Sequence, residues 1–180
     1  MDYASLKSRF VAFGYDNLVI LGIIFTAAII GSFLAFGPLQ DQAAQWLSSP
    51  FARDTLAFAT LVLPTMLYFA FQEASPVQGT WGKRKTGLRV QTLNGERLSL
   101  GRSLLRSAIK FLPWQLAHTC LFHIPGWPFA PEEPPAWVVW GFGVVWVLVG
   151  INIGMLVLNK THRTLYDWAA GTVVVTSHAT

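Results

Sequence analysis

The apolar positions of this chain fall into long uninterrupted runs, not the short alternations of a soluble domain. Phe10 to Phe36 carries no charge except Asp16. At about 1.5 Å per residue it is long enough to cross a hydrocarbon layer of about 30 Å with some tilt. Gly37-Pro38 ends this first span, and a short loop with Trp46 at headgroup level follows. Thr55 to Gln72 is uncharged over 18 positions and forms the second span. Pro64 near its middle predicts a kink that Thr60 or a neighbouring helix must accommodate. Ile109 to Trp127 is shorter in its apolar stretch and holds Lys110, Pro113, Gln115, His118 and His123. It reads either as a third crossing or as a re-entrant segment. Trp137 to Leu158 gives 22 uncharged residues and the fourth span.

Between the second and third spans the period changes. LRVQTLNGERLSL alternates apolar and polar positions around Asn94-Gly95, a strong hairpin signal, and predicts a small cytoplasmic β-hairpin. Ser99 then caps a helix on which Arg102, Arg106 and Lys110 recur every four residues, a pattern that predicts an interfacial amphipathic helix. The tail LYDWAAGTVVVT starts helix-like and ends in three valines, which suit a strand added to the hairpin. The pattern therefore predicts an all-α membrane protein: one domain over residues 1–180, four transmembrane helices, an interfacial helix and a small hairpin.

Charge supports this layout. With both termini inside, 12 of the 13 Lys and Arg residues lie on the inner face and Arg53 alone lies outside. The positive-inside rule is satisfied, and the proline- and acid-rich PGWPFAPEEPPAW becomes an outer loop. A re-entrant third segment would put the basic flank of the fourth span outside, which favours crossing. The chain is expected to sit in a membrane, with the first apolar run retained as a helix rather than cleaved as a leader. The net charge of +4 sits in loops beside apolar spans, where it meets anionic headgroups rather than nucleic acid. One cysteine, Cys120, excludes an intramolecular disulfide.

Asp16 is the position that most needs an explanation, because an ionised carboxylate in lipid costs several kcal/mol unless it is paired, hydrated or protonated. Arg9, seven residues earlier, lies on the same helix face about 10 Å away along the axis. Asp167, four residues after Arg163, is the expected partner to complete a charge network with Arg9. Two readings follow. Asp16 is a proton or monovalent-cation site gated by that network, or the network is a clamp that holds helix ends together.

The segments RFVAFGYD (Arg9 to Asp16), GTWGKRKTGLRVQTLNGERLSLGRSLLR (Gly79 to Arg106) and RTLYDWAAGTVVV (Arg163 to Val175) together resemble the RDD family of bacterial membrane proteins, named for one arginine and two aspartates. The resemblance implies that Arg9 is that arginine, Asp16 the first aspartate and Asp167 the second. Where relatives carry a run such as FLID, this chain has FGYDN, so Gly14 is expected to loosen the helix beside Asp16. The family implies transport of ions or unidentified ligands, and fixes architecture better than activity.

Other motifs add less. In GINIG, Gly150 and Gly154 permit close helix contact and Asn152 can hydrogen-bond across it, within the bundle or in a homo-oligomer. Lys83, Arg84 and Lys85, with Arg89, Arg102 and Arg106, form a basic cytoplasmic loop suited to topology, anionic lipid or a protein partner. GTWGKRKT lacks the spacing of a phosphate loop. His118, Cys120 and His123 do not share a helical face, so no metal site is expected. No cofactor is called for, and no nucleophile, base and orienting acid are recognisable, so the chain does not read as an enzyme. The expected function is transport of an ion or small solute using Asp16. The alternative is a non-transporting scaffold or assembly factor working through the basic loop.

Overall fold

In the computed structural model, which describes residues 2–128 and 130–177, Ser5 caps the first helix by accepting from the Ser8 N–H at 3.2 Å. That helix, α1 (Leu6–Phe36), runs unbroken through Gly14 for 31 residues. After a short α2 (Gln40–Leu47), α3 (Pro50–Ala57) leads through a π-helical turn at Phe58–Val62 into α4 (Leu63–Ala74). The widened turn stands immediately before Pro64, whose ring clashes with a normal helical carbonyl and which has no N–H to give. Thr60 donates its hydroxyl to the Leu56 carbonyl at 2.7 Å, which satisfies one of the acceptors in the irregular stretch.

A five-residue helix α5 (Trp81–Lys85) and strand β1 (Leu88–Thr92) follow, then α6 (Leu100–Phe122), α7 (Ala136–Leu158), the short α8 (Leu165–Ala169) and β2 (Thr172–Thr176). Among the described residues, three helical stretches are long and apolar enough to cross a membrane: Leu6–Phe36, Pro50–Ala74 and Ala136–Leu158. The helix α6 packs against both α4 and α7, and α1 meets the π-helical turn and α4. Asp54 meets Gln115 and Thr119, while Ser103 donates to the Ala70 carbonyl at 2.8 Å, so α4 and α6 run in opposite directions. The α6–α7 approach is close at Gly141, where a Cβ would stand 2.4 Å from the Cys120 sulfur.

Two expectations are corrected here. No hairpin forms about Asn94-Gly95. The turn exists, with Gly95 at φ +84° and the Thr92 N–H donating to the Glu96 carbonyl. However, Leu98 is buried with Ala4, Ala12 and Val90, and α6 begins at Leu100, so no length remains for a return strand. The partner of β1 is instead the tail: β1 and β2 pair antiparallel, from Leu88↔Thr176 to Thr92↔Thr172. Residues Asp2 to Ala4 flank the other edge of β2, through the Ala4 N–H to Val174 and the Thr176 N–H to Asp2.

Nor is there a separate interfacial helix. Ser99 caps as expected, but its helix continues through Pro113 to Phe122 as one rod. The stripe of basic residues runs into the bundle instead of along its surface: Arg102 is exposed, and Arg106, one turn later, is only 2% exposed.

Candidate functional site

The charged groups collect where α1, α4, α5, α6 and α8 converge beside the sheet. Glu73, at the end of α4, is fully buried and accepts from the Lys83 Nζ at 2.8 Å and from the Arg106 Nη1. Arg106 turns its other edge to Asp167, with Nε and Nη2 at 3.0 and 2.9 Å from Oδ1. Arg9 Nη1 lies 3.6 Å from Asp167 Oδ2. The result is an alternating row, Lys83, Glu73, Arg106, Asp167, Arg9, which joins five helices. A buried pair survives only when its remaining lone pairs and protons are also met, and much of that demand is met here. Arg106 stacks its guanidinium 4.9 Å over the Tyr166 ring.

Asp167 is held by its own helix as well. Thr164 and Asp167 form a capping box, in which the Asp167 carboxylate accepts from the Thr164 N–H and hydroxyl, and Thr172 adds a hydroxyl at 3.0 Å. Burial alone would raise the Asp167 carboxyl, but Arg106 and Arg9 outweigh it and hold the group below its ordinary value of 3.8. Burial, reinforced by Asp167, pushes the neighbouring Tyr166 phenol up.

Asp16 is 2% exposed and stands apart from this row. Its Oδ1 accepts from the Tyr68 hydroxyl at 2.9 Å and the Gly82 N–H at 2.8 Å, and its Oδ2 from the Thr80 hydroxyl at 2.6 Å. These donors are neutral, and no basic side chain stands within ion-pair distance among the described residues. The approach of α1 to α5 is so close that a Cβ on Gly82 would lie 2.0 Å from the Ala12 carbonyl oxygen. Glycine is therefore required for contact rather than for backbone freedom.

Lys110 is placed differently again. Its ammonium lies 3.3 Å from the centre of the Phe69 ring and 5.2 Å from that of Phe111, and no carboxylate pairs with it among the described residues. It walls two cavities. The inner one, about 900 Å³, lies between α1 and α7 and includes Arg9, Asp16, Lys83 and Arg106 in its lining. The second, about 550 Å³, continues along α1 past Asn17 and Ile24 to His118 on α6. Phe13 and Lys110 belong to both walls.

The other residues singled out from the sequence lie as follows. Arg163 reaches Asp167 through its backbone carbonyl, not its carboxylate, and donates to the Thr172 carbonyl at 2.9 Å. Arg84 and Lys85 are exposed, and Arg89 is half-buried against the Ser177 hydroxyl. Lys83 and Arg106 do not face lipid or a partner as expected, because Glu73 draws both inward. Gly150 and Gly154 are not packing points within the bundle: a Cβ on either would meet nothing within 4 Å. Asn152 donates to the Leu148 carbonyl of its own helix, and its side-chain oxygen is buried with no partner among the described residues. Glu73, Tyr68 and Thr80 belong to the site without having been anticipated from sequence. The signals for them were faint: an acid terminating an uncharged span at Glu73, and a threonine capping a basic turn at Thr80.

These features define an integral-membrane helical bundle tied by buried charge near one end. A family model described as RDD family matches residues 3–171, and the chain belongs to that family. It is also similar to the uncharacterized protein YxaI of Bacillus subtilis (strain 168), at 26% identity over 107 residues, covering 54% of this chain and 69% of that protein. No solved structure matches.

Proposed function

We propose that this chain is a non-catalytic protein of the bacterial cytoplasmic membrane that crosses it four times, with both termini inside, and carries a small solute or ion along the face of α1. The observation that supports this reading is the pair of cavities that share Phe13 and Lys110 and follow α1 from Leu6 to Ile24. In it α6 serves as the third crossing in chain order, with Arg106 neutralised by Glu73 and Asp167, Lys110 turned to the cavities and Arg102 exposed on its first turn. The inner lining carries five basic residues, Lys7, Arg9, Lys83, Arg106 and Lys110, against Asp16 alone. A lone monovalent cation is disfavoured there, so an anion, or a proton exchanged at Asp16, suits the lining better.

Flux in proteoliposomes under imposed proton and salt gradients tests the path. Phe13→Trp narrows the junction between the cavities and is expected to abolish flux without lowering the melting temperature. Asp16→Asn keeps an oxygen for Tyr68 and Gly82 and offers an amide to the Thr80 oxygen, so it is expected to fold; loss of flux in that variant assigns the charge of Asp16 to the mechanism. Unchanged flux in Phe13→Trp overturns the path, and unchanged flux in Asp16→Asn removes Asp16 from it. A scaffold role is the second reading, favoured by the exposed basic side chains of Arg84, Lys85 and Arg102.

A further inference from the structure

The inner cavity combines two chemistries that rarely share a site. Its floor is basic, and the described carboxylates nearest it are already committed: Glu73 to Lys83 and Arg106, Asp167 to Arg106 and Arg9, and Asp16 to three neutral donors. Among the described residues, Lys110 meets ring faces and no carboxylate. The walls are apolar and come from two spans, Phe10 and Phe13 of α1 and Ile153, Leu156 and Val157 of α7. These spans hardly touch one another, since α1 packs mainly on α5 and α7 mainly on α6. In the orientation of the transport reading, the gap between these two spans faces the acyl layer.

We propose that this cavity is a binding site for an anionic phospholipid, whose phosphate sits against Lys110, Arg9 and Lys7 while an acyl chain lies in the cleft between α1 and α7. This site is additional to the transport reading, and rests on that reading only for the cavity's place in the bilayer. The charge argument selects the occupant: a hydrocarbon tail alone leaves Lys110 without a counter-charge among the described residues, and a soluble anion leaves the apolar walls uncovered. A phosphate-bearing amphiphile meets both.

Native mass spectrometry of the full chain released from detergent, titrated with phosphatidylglycerol or phosphatidylcholine, reads occupancy directly. One retained phosphatidylglycerol per chain is expected, with at least a tenfold preference over phosphatidylcholine. Lys110→Gln, which breaks no ion pair, is expected to weaken phosphatidylglycerol at least tenfold, and Ile153→Trp is expected to displace it from the apolar side. Lys160→Gln, exposed two residues beyond α7 and outside the cavity, is expected to change nothing. Equal losses in Lys110→Gln and Lys160→Gln mean surface attraction only and overturn the site. Competition by glycerol phosphate at the same concentration as the lipid means a soluble anion is the occupant and also overturns it. A lipid-free dimer that excludes phosphatidylglycerol means a second copy covers the cleft, and it too overturns the lipid site. Flux is measured separately: bound lipid without flux refutes the carrier and leaves the site standing, and flux without bound lipid does the reverse.

Discussion

Asp167 is a shared acceptor: its carboxylate caps α8, receives two nitrogens of Arg106 and faces Arg9. Its pKa is depressed in the folded chain, so its contribution to stability is complete above 3.8, the ordinary carboxyl value, and is lost as pH falls through that value and below. Thermal melting in detergent is expected to drop on acidification below about pH 4, and Asp167→Asn is expected to lower stability at neutral pH and flatten that acid limb. A limb of equal depth in the variant would assign it to other groups. At Gly82 the cost is steric. An added methyl meets the Ala12 carbonyl of α1, and Gly82→Ala is expected to destabilise by about 1–3 kcal/mol, the usual range for overpacking. A melting temperature equal to wild type would show that α5 moves freely away from α1.

At the level of elements, α6 departs furthest from its sequence pattern. Its basic stripe at Arg102, Arg106 and Lys110 has the spacing of a surface helix, and spacing alone does not say which way the stripe faces. Burying it required Glu73 on a different helix, a partner 33 residues away. The apolar runs of α1, α4 and α7 were legible because lipid imposes length and hydropathy on each span separately. The Arg9–Asp167 approach was legible because each of the two residues, set beside apolar chain, needed an opposite charge. The β1–β2 pairing was half legible: the three valines suit a strand, but a turn signal at Asn94-Gly95 favoured a local partner over a distant one. Arg106→Met is expected to cost about 3–5 kcal/mol, because it leaves two buried carboxylates short of a counter-charge. Lys83→Met is expected to cost less, since Glu73 keeps Arg106. Equal melting of both variants with wild type would show that the row adds nothing to stability.

For the whole molecule, the number of crossings decides where its loops lie. Cys120 is fully buried, so an introduced thiol can be read against it. In whole cells, Asn94→Cys is expected to be shielded from an impermeant maleimide and Glu133→Cys to react, which places the two ends of α6 on opposite sides of the membrane. Matching reactivity at both sites would make α6 re-entrant and remove that crossing. The large uncovered faces of α1 and α7, including the open positions at Gly150 and Gly154, belong to this scale too.

The zippering of the amino-terminal residues onto β2 has a bearing on biogenesis. Arg9 donates to the Val174 carbonyl across 165 positions of chain, and a ribosome adding roughly 5–20 residues per second takes on the order of 8–33 s to cover that distance. Throughout that interval the guanidinium of Arg9 lacks both Asp167 and the Val174 carbonyl, which it meets in the folded chain. Closure therefore waits for α8 and β2 to be made, and a polypeptide truncated before Asp167 is expected to leave an unlatched entrance exposed to membrane proteases.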